Sequence, residues 1–583
     1  MADNELFELD QPKPIRGYPT LQWAGKRPFE STQYFPAQCK ESYGKAKDGW
    51  LNKIYWGDNL QVMSHLMKEY RGKIDLIYID PPFDSKADYK KKIELKGQKI
   101  TNDNNSFEEK QYGDIWTNDE YLQFIYQRLV LMKELLSDTG SLYLHCDWRV
   151  NSFIRIILDE IFGSNNFINE VVWCYSIGGK GDRFFGRKHD TIFWYGKKAS
   201  YFFNGYDPLV VTSRKVNTHM RTKNDSNGRE YQEKTDKKTG KIYKYYVDEG
   251  KIPEDYWTDI EQLNREDGER CGYPTQKPEA ILNRIIASST PPGGIVFDCF
   301  MGSGTTQAVA MKLGRRFIGA DINLGAVQTT TKRLVGIAKE LSQELGNDKY
   351  TGFEVYNVNN YEFFRNPIEA KDILLEALEI EKASSTSLYD GEKDGRMVKI
   401  MPVDRICCRA DFEGFLHSLP YKTFQQHLEK EPNKPAEKIT IVCMGHEPDL
   451  KAVLEKELKQ YNIDIEITDI LRDKKDLELK RDSEADITIN KGKLIIKKFY
   501  PMNLMQKLSL DKHTVSADWR ELVESVMVDF NYDGVVLQPG ITDIPDKKEL
   551  VKGEYPIPTD AGIIRVKITD LLSESLEVEV TNG

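Results

Sequence analysis

The sequence predicts an α/β protein built on a doubly wound, Rossmann-like sheet, with an inserted region and a C-terminal α+β extension. Three observations carry this. Short apolar runs that end in turn formers alternate with helical patterns, as β–α–β units require. One unit, Val296 to Asn323, reads "VFDCFMGSGTTQAVAMKLGRRFIGADIN": a strand, a glycine-rich turn, a helix and a second strand ending in an acid. A further strand, "KIDLIYID" (Lys73 to Asp80), runs straight into Pro81, Pro82 and Phe83. Two prolines stop a buried strand at once, and such an abrupt stop points to a site.

Size and composition set the frame. A chain of 583 residues exceeds one core, and about two to four domains are expected. With 39% hydrophobic and 30% charged residues, it has no apolar run near the roughly 20 residues of a membrane span. The opening "MADNELFELD" lacks the basic and apolar regions of an export signal. These features predict a cytoplasmic, non-membrane protein. The eight cysteines are scattered without C-x-x-C pairs or a histidine cluster at zinc spacing, so they read as reduced packing residues and no metal is expected. The net charge of −10 weighs only weakly against a nucleic-acid partner, because the field at the binding face decides.

Along the chain, the strand at Lys73–Asp80 is followed by a polar, lysine-rich stretch from Ser85 to Asn118, read as a mobile loop. An amphipathic helix, a "DTG" stop and a strand at Ser141 to Cys146 come next, then strands at Glu170 to Ser176 and Asp190 to Gly196. From about 201 to 272 the apolar pattern fades and basic residues outnumber acids, as in an insertion. The helix "KPEAILNRIIASST", the strand "GIVFDCF", a helix after "GSGTT" and the strand "RRFIGADI" restore the α/β pattern. The predicted organisation is a first core segment at 1–200, an insertion at 201–272, a second core segment at 273–364, and one or two further domains at 365–583.

The unit at Val296 to Asn323 predicts a nucleoside ligand. Gly302 and Gly304 let the backbone approach it closely, and the helix beginning near Thr305 offers free N–H groups to an anionic end. Asp321 lies where a carboxylate grips ribose hydroxyls. Gln307 occupies the third glycine position of the dinucleotide motif, and no lysine precedes the threonine pair as in a phosphate loop. An adenosine half with a short charged tail fits better, and S-adenosylmethionine is the common ligand of that kind.

The acid-Pro-Pro-aromatic block "DPPF" at Asp80, "YPTQKPE" at Tyr273 and "FMGSGTT" at Phe300, in that order, resemble the permuted β class of amino-methylating DNA methyltransferases. The resemblance covers roughly Asn52 to Leu334, where "WGDNLQVMSHL" and "HDTIFWYGK" also look like family blocks. The arrangement is similar to the modification subunits of type III restriction-modification systems. It implies methyl transfer from S-adenosylmethionine to the exocyclic amine of adenine, the alternatives being the N4 amine of cytosine or a non-catalytic DNA-binding or assembly subunit of the same fold. It also implies double-stranded DNA, a second copy of the chain and a restriction helicase–nuclease subunit as partners. Cys299 departs from the proline frequent at that position.

An exocyclic amine is a poor nucleophile because its lone pair is delocalised into the ring. Hydrogen-bond acceptors must draw on its two N–H groups, and the Asp80 carboxylate and the Pro81 carbonyl, held outward by Pro82, supply them. Phe83 offers a face for a flipped-out base. By resemblance, Lys277 and Pro278 lie near the methionine end of the cofactor with Phe300 nearby, Thr305 and Thr306 meet its carboxylate, and Asp298 meets its ammonium. Lys86 and Lys90 after Phe83, and Arg214, Lys215, Arg221 and Lys223 in the insertion, are the residues expected to follow phosphates. His145 and Asp147 end a strand at the same edge and read as structural. "CMGHEPDL" (Cys443 to Leu450) reads as a strand, turn and helix. The region from about Arg365 is expected to serve assembly or partner docking.

Overall fold

The computed structural model describes residues 6–581 apart from short stretches, chiefly 13–16, 83–87, 95–105, 114–117, 177–182, 215–219, 344–348, 359–370, 384–387, 402–411, 444–453, 470–482 and 506–517. Its centre is a ten-stranded sheet. In chain order the elements are β1 (Ala37–Tyr43), β2 (Asn52–Trp56), α1 (Asn59–Tyr70), β3 (Ile74–Ile79), α2 (Asn118–Leu135), β4 (Leu136–Cys146), α3 (Asn151–Phe162), β5 (Phe167–Cys174), β6 (His189–Gly196) and β7 (Tyr256–Trp257). Then follow α4 (Glu279–Ser289), β8 (Ile295–Asp298), α5 (Thr305–Lys312), β9 (Arg316–Asp321), α6 (Leu324–Ser342) and β10 (Phe353–Val358). The strands lie in the order β7-β5-β6-β4-β3-β8-β9-β2-β10-β1.

The six strands from β4 to β10 in that order are parallel. Parallel strands are buried on both faces, and β3 and β8 accordingly read as continuous apolar runs. One core holds residues of α1, α2 and α3, including Val62, Leu129 and Ile157. The other holds residues of α4, α5 and α6, including Ile285, Val309 and Leu334. From β3 the chain proceeds to β4 on one side, whereas from β8 it proceeds to β9 on the other. The strand order therefore reverses between β3 and β8, and ligands of open α/β sheets bind outside the carboxyl ends at such a point.

The lysine-rich stretch after Phe83 differs from the loop expected of it. Asp88–Glu94 and Ser106–Gly113 pair as an antiparallel hairpin, with Lys91 opposite Glu109 and Lys92 opposite Glu108 in the register. The run of lysines in one strand hides the period-two alternation by which a strand is read from sequence. Within 201–272, Thr222–Asn224, Glu230–Thr235 and Ile242–Tyr246 form a separate three-stranded sheet, while β7 joins the main sheet beside β5.

The C-terminal third contains a five-stranded sheet spanning Glu381 to Asp469, whose last three strands are parallel, a three-stranded sheet and a four-stranded sheet. The four-stranded sheet, with strands Val523–Asp529, Ile541–Asp543, Ile563–Asp570 and Ser575–Thr581, docks on β1. The Ser42 amide donates to the Leu537 carbonyl at 3.0 Å and the Leu537 amide to the Lys40 carbonyl at 2.9 Å. Beside them Lys567 forms a buried ion pair with Glu41, which also accepts from the Tyr43 hydroxyl at 2.6 Å. Among the described residues, no helix is long and apolar enough to cross a membrane.

Candidate active site

Three adjacent parallel strands each deliver a carboxylate to the same sheet edge: β3 is followed by Asp80, β8 ends in Asp298 and β9 ends in Asp321. The geometry follows from the strand lengths and from what stops each strand. Pro81 and Pro82 stop β3, with Pro81 buried. After β8 the chain enters a turn in which Gly302 and Gly304 hold φ of 49° and 70°, the left-handed region that glycine enters without cost. A Cβ at Gly304 would stand 2.5 Å from the Thr330 methyl, and one at Gly302 would stand 3.2 Å from the Tyr273 ring. The turn is closed by Thr330, whose hydroxyl donates to the Gly302 carbonyl at 3.1 Å.

Asp298 and Asp321 hold this turn in shape. Asp298 accepts from the Phe300 amide at 2.9 Å and from the Thr306 hydroxyl at 2.6 Å. Burial outweighs these bonds and pushes its carboxyl up to about 7, as desolvation of a charged form requires. Asp321 accepts from the Gly302 amide at 2.9 Å and the Asn323 amide at 2.8 Å, and burial pushes it up to about 6. Each carboxylate oxygen has two lone pairs, so one amide bond apiece leaves Asp321 with acceptor capacity for ribose hydroxyls.

Asp80 forms an ion pair with Lys277, whose side chain crosses from the segment leading into α4. The other Asp80 oxygen, Oδ1, is buried without a hydrogen-bond partner. Pro278 is the buried N-cap residue of α4. The Thr305 hydroxyl reaches the Lys277 carbonyl at 3.4 Å and accepts from Arg333 at 3.1 Å. Thr306 bonds to Asp298 and Thr305 to Arg333, both at the start of the helix that follows the glycine turn. Phe300 is half-buried, edge-on to Phe124 at 6.1 Å.

The block "WGDN" closes the cofactor-side wall. Gly57 donates to the Asp321 carbonyl at 3.0 Å, Asn59 to the Cys299 carbonyl at 3.1 Å, and Asp58 caps α1 while accepting from Arg128 at 2.9 Å. Thr330, Arg333 and Arg128 were not singled out from sequence, because they work through tertiary contacts that no local pattern announces, whereas Tyr273 and Asn59 stand in blocks read from sequence without a role for either residue. His145 is fully buried, between the Tyr78 hydroxyl at 3.0 Å and Asp190 at 3.2 Å, in keeping with the structural reading. Burial would raise the Asp190 carboxyl; bonds from His145 and Tyr175 and the Lys277 charge outweigh it and hold it below its usual range.

Phe83, Lys86 and Lys215 lie outside the described residues, as does most of "CMGHEPDL", and Lys90 is placed only as a strand residue of the hairpin. Arg221 is exposed. Arg214 donates to the Gly250 carbonyl at 2.7 Å and stands 5.1 Å from the Tyr245 ring, and Lys223 is ion-paired with Glu233. Neither is poised as a bare cation. An aromatic and basic cluster missed from sequence stands at the same strand ends: Trp148 is 42% and Phe185 97% exposed, and the Arg187 guanidinium lies 3.7 Å over the Trp148 ring. "DWR" after β4 carried that signal.

Residues 74–332 match the family model described as DNA methylase, of the N6/N4 methyltransferases. The Type II methyltransferase M.EcaI of Enterobacter cloacae is 30% identical over 48% of this chain and 69% of its own length. The chain belongs to this DNA methylase family. The DNA adenine methyltransferase YhdJ of Escherichia coli is 28% identical over 51% of this chain and 87% of its own. The StyLTI Mod subunit of a type III restriction-modification enzyme from Salmonella typhimurium is 26% identical over 50% of this chain and 56% of its own. The C-terminal sheets from Glu381 onward lie beyond the family match.

Proposed function

We propose that this DNA methylase transfers a methyl group from S-adenosylmethionine to the N6 amine of adenine in double-stranded DNA. The carrying observation is the placement of Asp80 at the switch point, one strand away from the glycine turn that closes β8. Names of relatives support the base: YhdJ is a DNA adenine methyltransferase. The rim fits the cofactor chemically. Three carboxylates favour a ligand carrying positive charge, and the glycine turn gives close backbone approach.

When bound, the cofactor supplies an electrophilic methyl group. This chain's residues do the rest. Gly302 and Gly304 open the turn, Asp321 accepts from the ribose, and Asp298 accepts from the ammonium, with Phe300 and Pro278 packing nearby. Asp80 Oδ1 and the Pro81 carbonyl accept the two N–H groups of the base and so free the nitrogen lone pair. Pro82 fixes the direction of that carbonyl, and Phe83 stacks on the base. Trp148, Phe185, Arg187 and Arg221, exposed or at the strand ends, are the residues proposed to meet the duplex. Resemblance to the StyLTI Mod subunit of a type III restriction-modification enzyme supports a restriction subunit as partner, and the C-terminal sheets are the surface proposed for its docking or for a second copy of the chain.

The test is incubation of the protein with labelled S-adenosylmethionine and unmethylated duplex DNA, followed by nucleoside analysis. Labelled N6-methyl-2′-deoxyadenosine in the digest supports the proposal. Label only in N4-methylcytosine, or none in DNA under cofactor-binding conditions, contradicts it.

A further inference from the structure

We infer that Lys277 is a latch on the catalytic acid: it holds Asp80 paired in the ligand-free protein and is drawn off by the carboxylate of the bound cofactor. This rests on the proposed cofactor. Three observations carry it. Lys277 and Asp80 form a direct ion pair with 13% and 19% of their side chains exposed, so both groups of the pair are largely withdrawn from solvent. The second Asp80 oxygen is buried without a partner. In this state the carboxylate proposed to receive a base is held in place through its Oδ2, with Oδ1 buried beside it.

The third observation is where Lys277 is anchored. Its carbonyl lies 3.4 Å from the Thr305 hydroxyl, at the first residue of the helix that follows the glycine turn. The backbone of Lys277 belongs to the cofactor turn while its ammonium belongs to the acid. Both threonine hydroxyls of that turn are already engaged within the protein, so a carboxylate entering there competes for a cation, and the Lys277 side chain pivots from an adjacent anchor. A ligand can move such an equilibrium only by interacting differently with the two states. The carboxylate is the group that does so, because it binds Lys277 only when Asp80 has released it. Target engagement then follows cofactor binding.

The latch predicts a coupling that calorimetry reads without turnover. S-Adenosylhomocysteine is titrated into wild type and Asp80→Asn, and so is its decarboxylated analogue, which keeps the amine and the thioether. Neither ligand carries the sulfonium charge, so the attraction of that charge to Asp80 is removed from the comparison, while both keep the ammonium group. The expected result is an approximately five- to tenfold tighter Kd for S-adenosylhomocysteine in Asp80→Asn, with no gain for the analogue, since only the carboxylate competes for Lys277. In Lys277→Met the two ligands should bind alike whether or not Asp80 is present. An equal change for both ligands in Asp80→Asn, or no gain for S-adenosylhomocysteine, overturns the latch. Failure of wild type to bind either ligand overturns the cofactor assignment and the latch with it.

Discussion

Asp298 ends β8 with both oxygens engaged and its carboxyl raised from 3.8 to about 7, and this has two consequences of opposite sign. An ammonium group binds the ionised form, so cofactor affinity should fall by about tenfold per pH unit below 7, measurable as Kd between pH 5.5 and 8. Folding runs the other way. Between 3.8 and about 7 the native state keeps a proton that the unfolded chain has released, so this group favours folding at low pH. That advantage is lost as pH rises through the folded value. Asp298→Asn should therefore raise the ligand-free Tm at pH 8 relative to wild type while weakening cofactor binding. A lowered Tm with intact binding would contradict the assignment. Gly302→Val should abolish cofactor binding, since a side chain there meets the Tyr273 ring.

At the scale of elements, the turn between β8 and α5 carries the strictest steric demand. Gly304→Ala places a Cβ 2.5 Å from Thr330 at a φ of 70° and should cost about 1–3 kcal/mol in denaturant unfolding. The turn and its flanking elements were legible because strand, glycine pair, helix and terminal acid are contiguous in sequence. The acid at the end of β3 was legible for the same local reason, since two prolines mark the stop. The ion pair between Asp80 and Lys277, by contrast, spans nearly two hundred positions, and the hairpin after Phe83 runs through a lysine-rich sequence without clear alternation. Trp148 and Arg187 are likewise joined only by folding. If that exposed cluster meets DNA, Arg187→Ala should weaken binding uniformly across sequences and reduce the salt slope by about one, measured by fluorescence anisotropy from 50 to 200 mM salt.

Across the whole molecule, the parallel sheet places the cofactor turn and the base-accepting acid on neighbouring strands, while the C-terminal four-stranded sheet clasps the far edge at β1. An uncovered edge strand invites pairing with other chains, and the Leu537 bonds to β1 close that edge over part of its length. Lys567→Met leaves the Glu41 charge buried without its cation and should cost about 3–5 kcal/mol in urea unfolding. Cofactor affinity should be unchanged, because Glu41 sits on the edge strand β1, separated from β8 by β9, β2 and β10. The central claim is that one sheet edge joins two separable tasks, holding the cofactor and accepting the amine. Its most direct test is a single-turnover assay of Asp80→Ala preloaded with labelled S-adenosylmethionine. The account predicts cofactor binding no more than about threefold weaker than wild type and methyl transfer to DNA reduced by at least about 100-fold, whereas unchanged transfer from the loaded variant would contradict it.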